Sequence, residues 1–181
     1  QNIARECGVS APTVRAYYEI LTDALLGRFV PAFVKRPKRR LVLSPRFYFF
    51  DVGLVAGLTH RGPVAPGSEL YGRAFEHFLY QEITAHSDYS GAHYPLAYWR
   101  TSSGLEVDFV LGDAEVVVEV KSAALVRPED AKGLRAFGEE HRIRHAIVVS
   151  NDPAPRRIGS GLWILPWREF LKRLWGGTLI K

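Results

Sequence analysis

GLEVDFVLGDAEVVVEVKS, residues 104–122, reads as two strands joined by a turn. Leu105–Leu111 alternates, so Glu106 and Asp108 are predicted on one face and Val107 and Phe109 on the other. Gly112-Asp113 is a turn pair, and Glu115–Lys121 resumes in strand-like residues, which predicts a hairpin. Four valines within Val116–Lys121 imply a central strand buried on both faces. A carboxylate inside such a strand loses its hydration, so Glu119 needs a cation or a proton. Lys121 follows two residues later and falls on the same face, within reach of the same pocket.

If the hairpin pairs these strands, Asp108 comes to lie near Glu119. Two carboxylates side by side suit a hard cation, Mg²⁺ or Mn²⁺. Lys121 would then orient or help deprotonate a water, or stabilise charge developing on a phosphorane. The plainer alternative is a Glu119–Lys121 surface pair on an edge strand, and the valine run argues against it.

On either side of the hairpin the periodicity alternates between helix and strand. A helix is predicted over residues 69–87, with Leu70, Phe75, Phe78, Leu79 and Ile83 on its apolar side. A strand is expected over 94–100, a helix from Pro128 to about His141, and a buried strand over 144–150. A last strand is expected over 161–165 and a closing helix over 167–175, with Trp163, Trp167 and Trp175 packing it onto the sheet. This order defines an α/β fold: a mixed sheet flanked by helices. Residues 59–68, THRGPVAPGS, read as a linker. The chain therefore divides into a module over 1–58 and a larger domain over 69–181.

Within the first module, Gly8 ends a short helix, Ser10 caps a second, and Pro12 sits in its first turn. Val14, Tyr17, Tyr18, Leu21 and Leu25 form the apolar stripe of that helix, and Cys7 is read as a core residue. Strands are predicted over 28–34 and 41–50, joined by the basic run Lys35, Arg36, Pro37, Lys38, Arg39, Arg40. Two turn-linked helices and a basic-tipped strand pair describe a winged helix. In a DNA-binding version, Thr13 and Arg15 would face a groove, and Lys35, Arg36, Lys38, Arg39 and Arg40 would meet phosphates. A protein-contact role is the alternative.

The charge of +5 lies where that reading needs it. Residues 1–60 hold nine Lys/Arg against four Asp/Glu, and the remaining residues balance at fifteen each. An acidic partner is expected there, DNA ahead of RNA. A single cysteine excludes an intrachain disulfide and fits the cytoplasm. No apolar run is long enough to span a bilayer, so no membrane partner is expected. The absence of methionine and an opening that reads as mid-helix suggest a piece of a longer protein, and self-association stays open.

Asp108, Glu119 and Lys121, spaced as Asp-x(n)-Glu-x-Lys on adjacent strands, resemble the PD-(D/E)XK nuclease superfamily. Glu76, in YGRAFE, matches the acidic residue such proteins carry on the helix before the strands, while Val107 stands where the name pattern has proline. The resemblance implies catalytic roles for Asp108, Glu119, Lys121 and Glu76. It also implies a metal held by Asp108, Glu119, the Val120 carbonyl and Glu76. A broader resemblance rests on IARECGVSAPTVRAYYEILTDALL, RPKRRLVLSPRFYFFDVGLVAGL, GRAFEHFLYQE, YWRTSSGLEVDFVL, VVVEVKS and GLRAF. These are similar to the C-terminal portion of prokaryotic AAA+-type ATPases, the domain of unknown function 4143. That likeness implies an upstream ATPase domain as partner and site of any ATP, since no Gly-x-x-x-x-Gly-Lys-Ser/Thr occurs here. It also singles out Arg100, a candidate phosphate contact with a structural role at the sheet edge as the alternative. Within the fold so implied, the function is either Mg²⁺-dependent hydrolysis of nucleic-acid phosphodiesters or a non-catalytic module coupled to the ATPase.

Overall fold

The computed structural model describes residues 2–159 and 161–181. Its centre is a mixed six-stranded sheet made of β3 (Leu96–Arg100), β4 (Glu106–Leu111), β5 (Val116–Lys121), β6 (His145–Ser150), β7 (Arg156–Ile158) and β8 (Leu162–Pro166), in the order β3-β4-β5-β6-β8-β7. β3, β4 and β5 run antiparallel, β5, β6 and β8 run parallel, and β7 returns antiparallel along β8. The valine run accordingly forms an interior strand, with Val116, Val117 and Val118 fully buried. The α/β expectation holds, and β7 is an addition to it: three residues are too few to show a period.

Helices cover both faces. α4 (Glu69–Tyr89) and α6 (Trp167–Trp175) pack on one, where Phe75, Leu79, Ile83, Phe170 and Leu174 share a cluster with Phe109, Val118 and Val120. Ser68 caps α4, its side chain accepting the Tyr71 N–H at 3.1 Å. A 3₁₀ turn over Pro128–Ala131 leads into α5 (Lys132–Gly138) on the other face, where Leu134 and Phe137 meet Val107, Val117 and Val148.

The approach of α5 is close because Gly133 has no side chain. A Cβ there would stand 1.7 Å from the Glu106 carbonyl oxygen. Gly133→Ala must push α5 off β4, and overpacking of this kind costs about 1–3 kcal/mol. Thermal unfolding is expected to show the loss, and an unchanged midpoint would mean that α5 is free to move.

The first 60 residues are arranged differently from a free module. α1 (Asn2–Glu6) and α2 (Ala11–Asp23) are joined by a turn at Gly8, with φ 65°, and Ser10 accepts the Thr13 N–H at 3.2 Å. β1 (Gly27–Val30) and β2 (Arg46–Phe49) form an antiparallel ribbon with Arg28 opposite Tyr48. Both strands are shorter than predicted. Pro31 follows β1 directly and Pro45 precedes β2, and neither offers an N–H to a ladder.

The residues between them lie along the outer edge of β3 instead. Phe33 N–H donates to the Tyr98 carbonyl at 2.7 Å, Tyr98 N–H to the Pro31 carbonyl at 3.0 Å, and Val42 N–H to the Arg100 carbonyl at 2.9 Å. Val30 and Tyr48 are buried in the same cluster as Phe75 and Phe109. α3 (Val52–Leu58), absent from the sequence reading, starts at Asp51, whose side chain accepts the Gly53 and Leu54 N–H groups.

Two expectations for α1 and α2 need correction. Cys7 is exposed, because the five-residue α1 buries little beyond Ala4. No residue of α2 is fully buried: Tyr17 is 62% exposed, and Leu25, the last member of the predicted stripe, lies beyond the helix end at φ 58° and is 77% exposed. Only one edge of the helix meets the ribbon, where the Tyr18 ring sits 4.7 Å from that of Phe47.

Candidate functional site

β4 and β5 pair from Leu111↔Val116 to Phe109↔Val118, and the ladder ends there. On its other side β4 carries one extra residue against β3, since Ala97 faces Val110 while Trp99 faces Val107. This bulge re-aims the chain at Asp108. The Asp108 side chain is thereby placed between the splayed strands, and its Oδ2 accepts the Val120 N–H at 2.8 Å. In an extended strand the carbonyl of a residue points to the same side as its N–H, so the Val120 oxygen also faces this gap.

Glu76, Glu106, Asp108, Glu119, Val120 and Lys121 line one open cavity of about 470 Å³, walled on the α5 side by Gly133. Asp108 and Glu119 are each 6% exposed. Lys121 Nζ lies 2.7 Å from Glu119 Oε1, as their spacing of two predicts. Glu119 Oε2 is buried with no hydrogen-bond partner among the described residues. Of the four acidic or lysine residues expected at a site, all line this cavity.

One participant was missed. Arg46, at the start of β2, reaches into the cluster. Its guanidinium is paired with Glu106, lies 3.5 Å from Asp108 Oδ1 and 3.6 Å from Glu76 Oε1, and rests 4.5 Å from the Tyr98 ring centroid. Tyr48, two residues on and therefore on the same face of β2, donates its hydroxyl to Glu76 Oε1. Alternation of Arg46 and Tyr48 was the only sign in the sequence, and it gives no hint of the partner.

Four carboxylates, Glu76, Glu106, Asp108 and Glu119, outnumber the three cations that touch them, Arg46, Lys121 and, at Glu106, Arg100, and the protonation equilibria respond. Burial, then Glu119 and Glu76, push the Asp108 carboxyl well above the usual range, against the Val120 N–H and Arg46. Burial pushes Glu119 up to about 7 despite Lys121, with Glu106 and Glu76 adding to the rise. Burial alone would lower the Lys121 ammonium, but Glu119 and Asp108 outweigh it and hold the group above its ordinary value. Lys121 is thus a cation at neutral pH, suited to stabilising negative charge and poorly suited to acting as a base.

Among the described residues no three His, Cys, Asp or Glu side chains stand as a pre-formed metal cage. What remains free is the Glu119 Oε2 lone pairs, unused capacity on Asp108, and the Val120 carbonyl. These are hard oxygen donors, and they fit one Mg²⁺ that keeps several waters. Glu76 is engaged by Tyr48 and Arg46.

The candidate nucleic-acid contacts fall into two groups. Lys35 is paired with Asp113, and Arg39 with Glu139 and Glu140. The Lys38 N–H donates to Glu140 Oε2 at 2.9 Å, and Arg100 lies 3.4 Å from Glu106. Arg15, Arg36 and Arg40 are exposed, with no carboxylate partner among the described residues, and Thr13 Oγ1 is 2.7 Å from Ser10 Oγ. Lys35, Lys38 and Arg39 therefore fasten the basic run to Asp113, Glu139 and Glu140, and Arg36 and Arg40 are the cations of the run left exposed. No helix is long and apolar enough to cross a membrane, among the described residues.

A mixed sheet carrying a buried carboxylate cluster and a lysine at a strand splay defines the class of domain. Residues 71–170 match the family described as Domain of unknown function (DUF4143), and the chain belongs to that family. Residues 1–64 match a second family, Domain of unknown function (DUF8612). Uncharacterized proteins of Mycobacterium bovis and Mycobacterium tuberculosis are each 32% identical over 175 residues, covering 88% of this chain. The alignment spans 38% of the length of each of these relatives. No solved structure matches significantly.

Proposed function

We propose that residues 69–181 form a PD-(D/E)XK-type domain that hydrolyses nucleic-acid phosphodiester bonds with Mg²⁺ or Mn²⁺, DNA ahead of RNA. The observation that carries this reading is the placement of Asp108 in the β4–β5 splay beside Glu119. One oxygen of Glu119 has no partner among the described residues and the other is held by Lys121 at 2.7 Å. A buried carboxylate oxygen without a donor is costly unless something positive completes it.

In this reading Asp108, Glu119 and the Val120 carbonyl hold the ion. When bound, Mg²⁺ supplies Lewis-acid stabilisation of phosphoryl oxygens. Lys121 stabilises negative charge developing on the phosphorane and orients the attacking water. Asp108 is fixed by the Val120 N–H and so needs little rearrangement on binding. The exposed Arg15, Arg36 and Arg40 are the cations left to meet phosphates. Residues 1–58 are proposed as a winged-helix module, and an upstream AAA+-type ATPase as the partner whose ATP cycle drives the whole protein.

The test is cleavage of linear and supercoiled DNA and of RNA with Mg²⁺ or Mn²⁺. Lys121→Ala is expected to lower cleavage by about a hundredfold or more, as loss of one charge-stabilising donor does elsewhere. Cleavage that survives both Lys121→Ala and Asp108→Ala would trace to a contaminant or another site. The second reading is a non-catalytic module of the same fold, binding nucleic acid or protein. Arg46 favours it, since a guanidinium already stands among the carboxylates. Tight binding without cleavage across metals would establish that reading.

A further inference from the structure

We infer that Arg46 permanently fills one of two cation positions in this cluster, so that the site takes a single divalent ion. The inference rests on the metal-dependent reading above and extends it to stoichiometry. Two-ion sites place two cations side by side on shared carboxylates. Here Glu76, Glu106 and one oxygen of Asp108 surround the Arg46 guanidinium, with separations of 3.6 and 3.5 Å to Glu76 and Asp108. A guanidinium is planar, always charged and able to bridge several carboxylates, which suits it to stand in for an ion.

Arg46 is also held in place. Its side chain is 20% exposed, it lies over the Tyr98 ring, and the Tyr98 hydroxyl donates to the Ser44 carbonyl at 2.5 Å. Pro45 and the ribbon pairing Val30↔Arg46 fix the backbone on either side. The donors that Arg46 leaves free line the cavity on β5, where Glu119 Oε2 has no hydrogen-bond partner among the described residues. One ion fits there, between Asp108 and Glu119.

The experiment is a titration of the 181-residue chain with Mn²⁺ alone, following free Mn²⁺ by its electron paramagnetic resonance signal. The wild type is expected to bind one ion. Arg46→Gln is expected to take a second ion, or to bind the first at least tenfold more tightly. Arg28→Gln, which removes an exposed cation paired with Asp88 outside the cluster, is expected to stay within twofold of wild type. If Arg46→Gln does not fold, Arg46→Lys carries the test. Its ammonium cannot span three carboxylates, so a gain of about threefold is expected and one below twofold overturns the inference. One ion in both wild type and Arg46→Gln, at equal affinity, overturns the inference and leaves the metal reading intact. Two ions in the wild type do the same. If neither protein binds Mn²⁺, the metal reading falls and the inference with it.

Discussion

Asp108→Asn is expected to keep its fold and lose metal-dependent cleavage by at least about a thousandfold, beyond the ~10–100-fold lost when a residue that merely orients a metal ligand is changed. The carboxamide retains an oxygen to accept the Val120 N–H, now bound at 2.8 Å, so the β4–β5 splay should persist. What it loses is the charge that an ion would meet. Circular dichroism should match wild type, while cleavage and Mn²⁺ affinity fall together. A variant that still cleaves at more than a tenth of the wild-type rate would remove Asp108 from the reaction.

The second large effect is on stability against pH, measured by chemical denaturation in EDTA. Glu119 rises from an ordinary 4.5 to about 7 because burial disfavours its charge. The folded chain therefore binds a proton more tightly than the unfolded chain does. Stability from this group is fully present below pH 4.5 and is lost as pH rises through 7. At about 1.4 kcal/mol per pKa unit, the loss approaches about 3 kcal/mol. Glu119→Gln removes that titration and still offers Lys121 an acceptor. Its stability should fall less than that of wild type across this window. Parallel curves would mean that Glu119 titrates as an exposed carboxyl does.

The hairpin, α4 and the closing helix were legible because each has a strong period and a large buried face. Val116–Lys121 announces an interior strand, and Glu119 and Lys121 meet because alternation makes them neighbours on one face. The position of Asp108 was only half legible. Its strand was plain, but the bulge opposite Ala97 and Trp99 that turns it into the gap depends on how β3 sits, and no local pattern encodes that. Arg46 was out of reach for a related reason. It lies 62 positions from Asp108, and the contact is made by a ribbon whose docking is a tertiary event. The apolar stripe of α2 misled in the opposite direction. Its period is genuine, yet the helix is met along one edge only and ends at Asp23, so Tyr17 remains in solvent and Leu25 falls outside the helix.

The backbone of residues 31–42 along β3 has a consequence for how the molecule tolerates company. An open sheet edge is a template on which another chain can add a strand. Here one edge is taken by the protein's own proline-punctuated segment, through Phe33 and Val42. The other ends in β7, three residues long and bearing Arg156 and Arg157. The stretch that delivers Arg46 to the carboxylates thus also denies the sheet a neighbour. A shortened protein that began at the linker would lose the cation and uncover a hydrogen-bonding edge at the same stroke, and it is expected to self-associate through that edge.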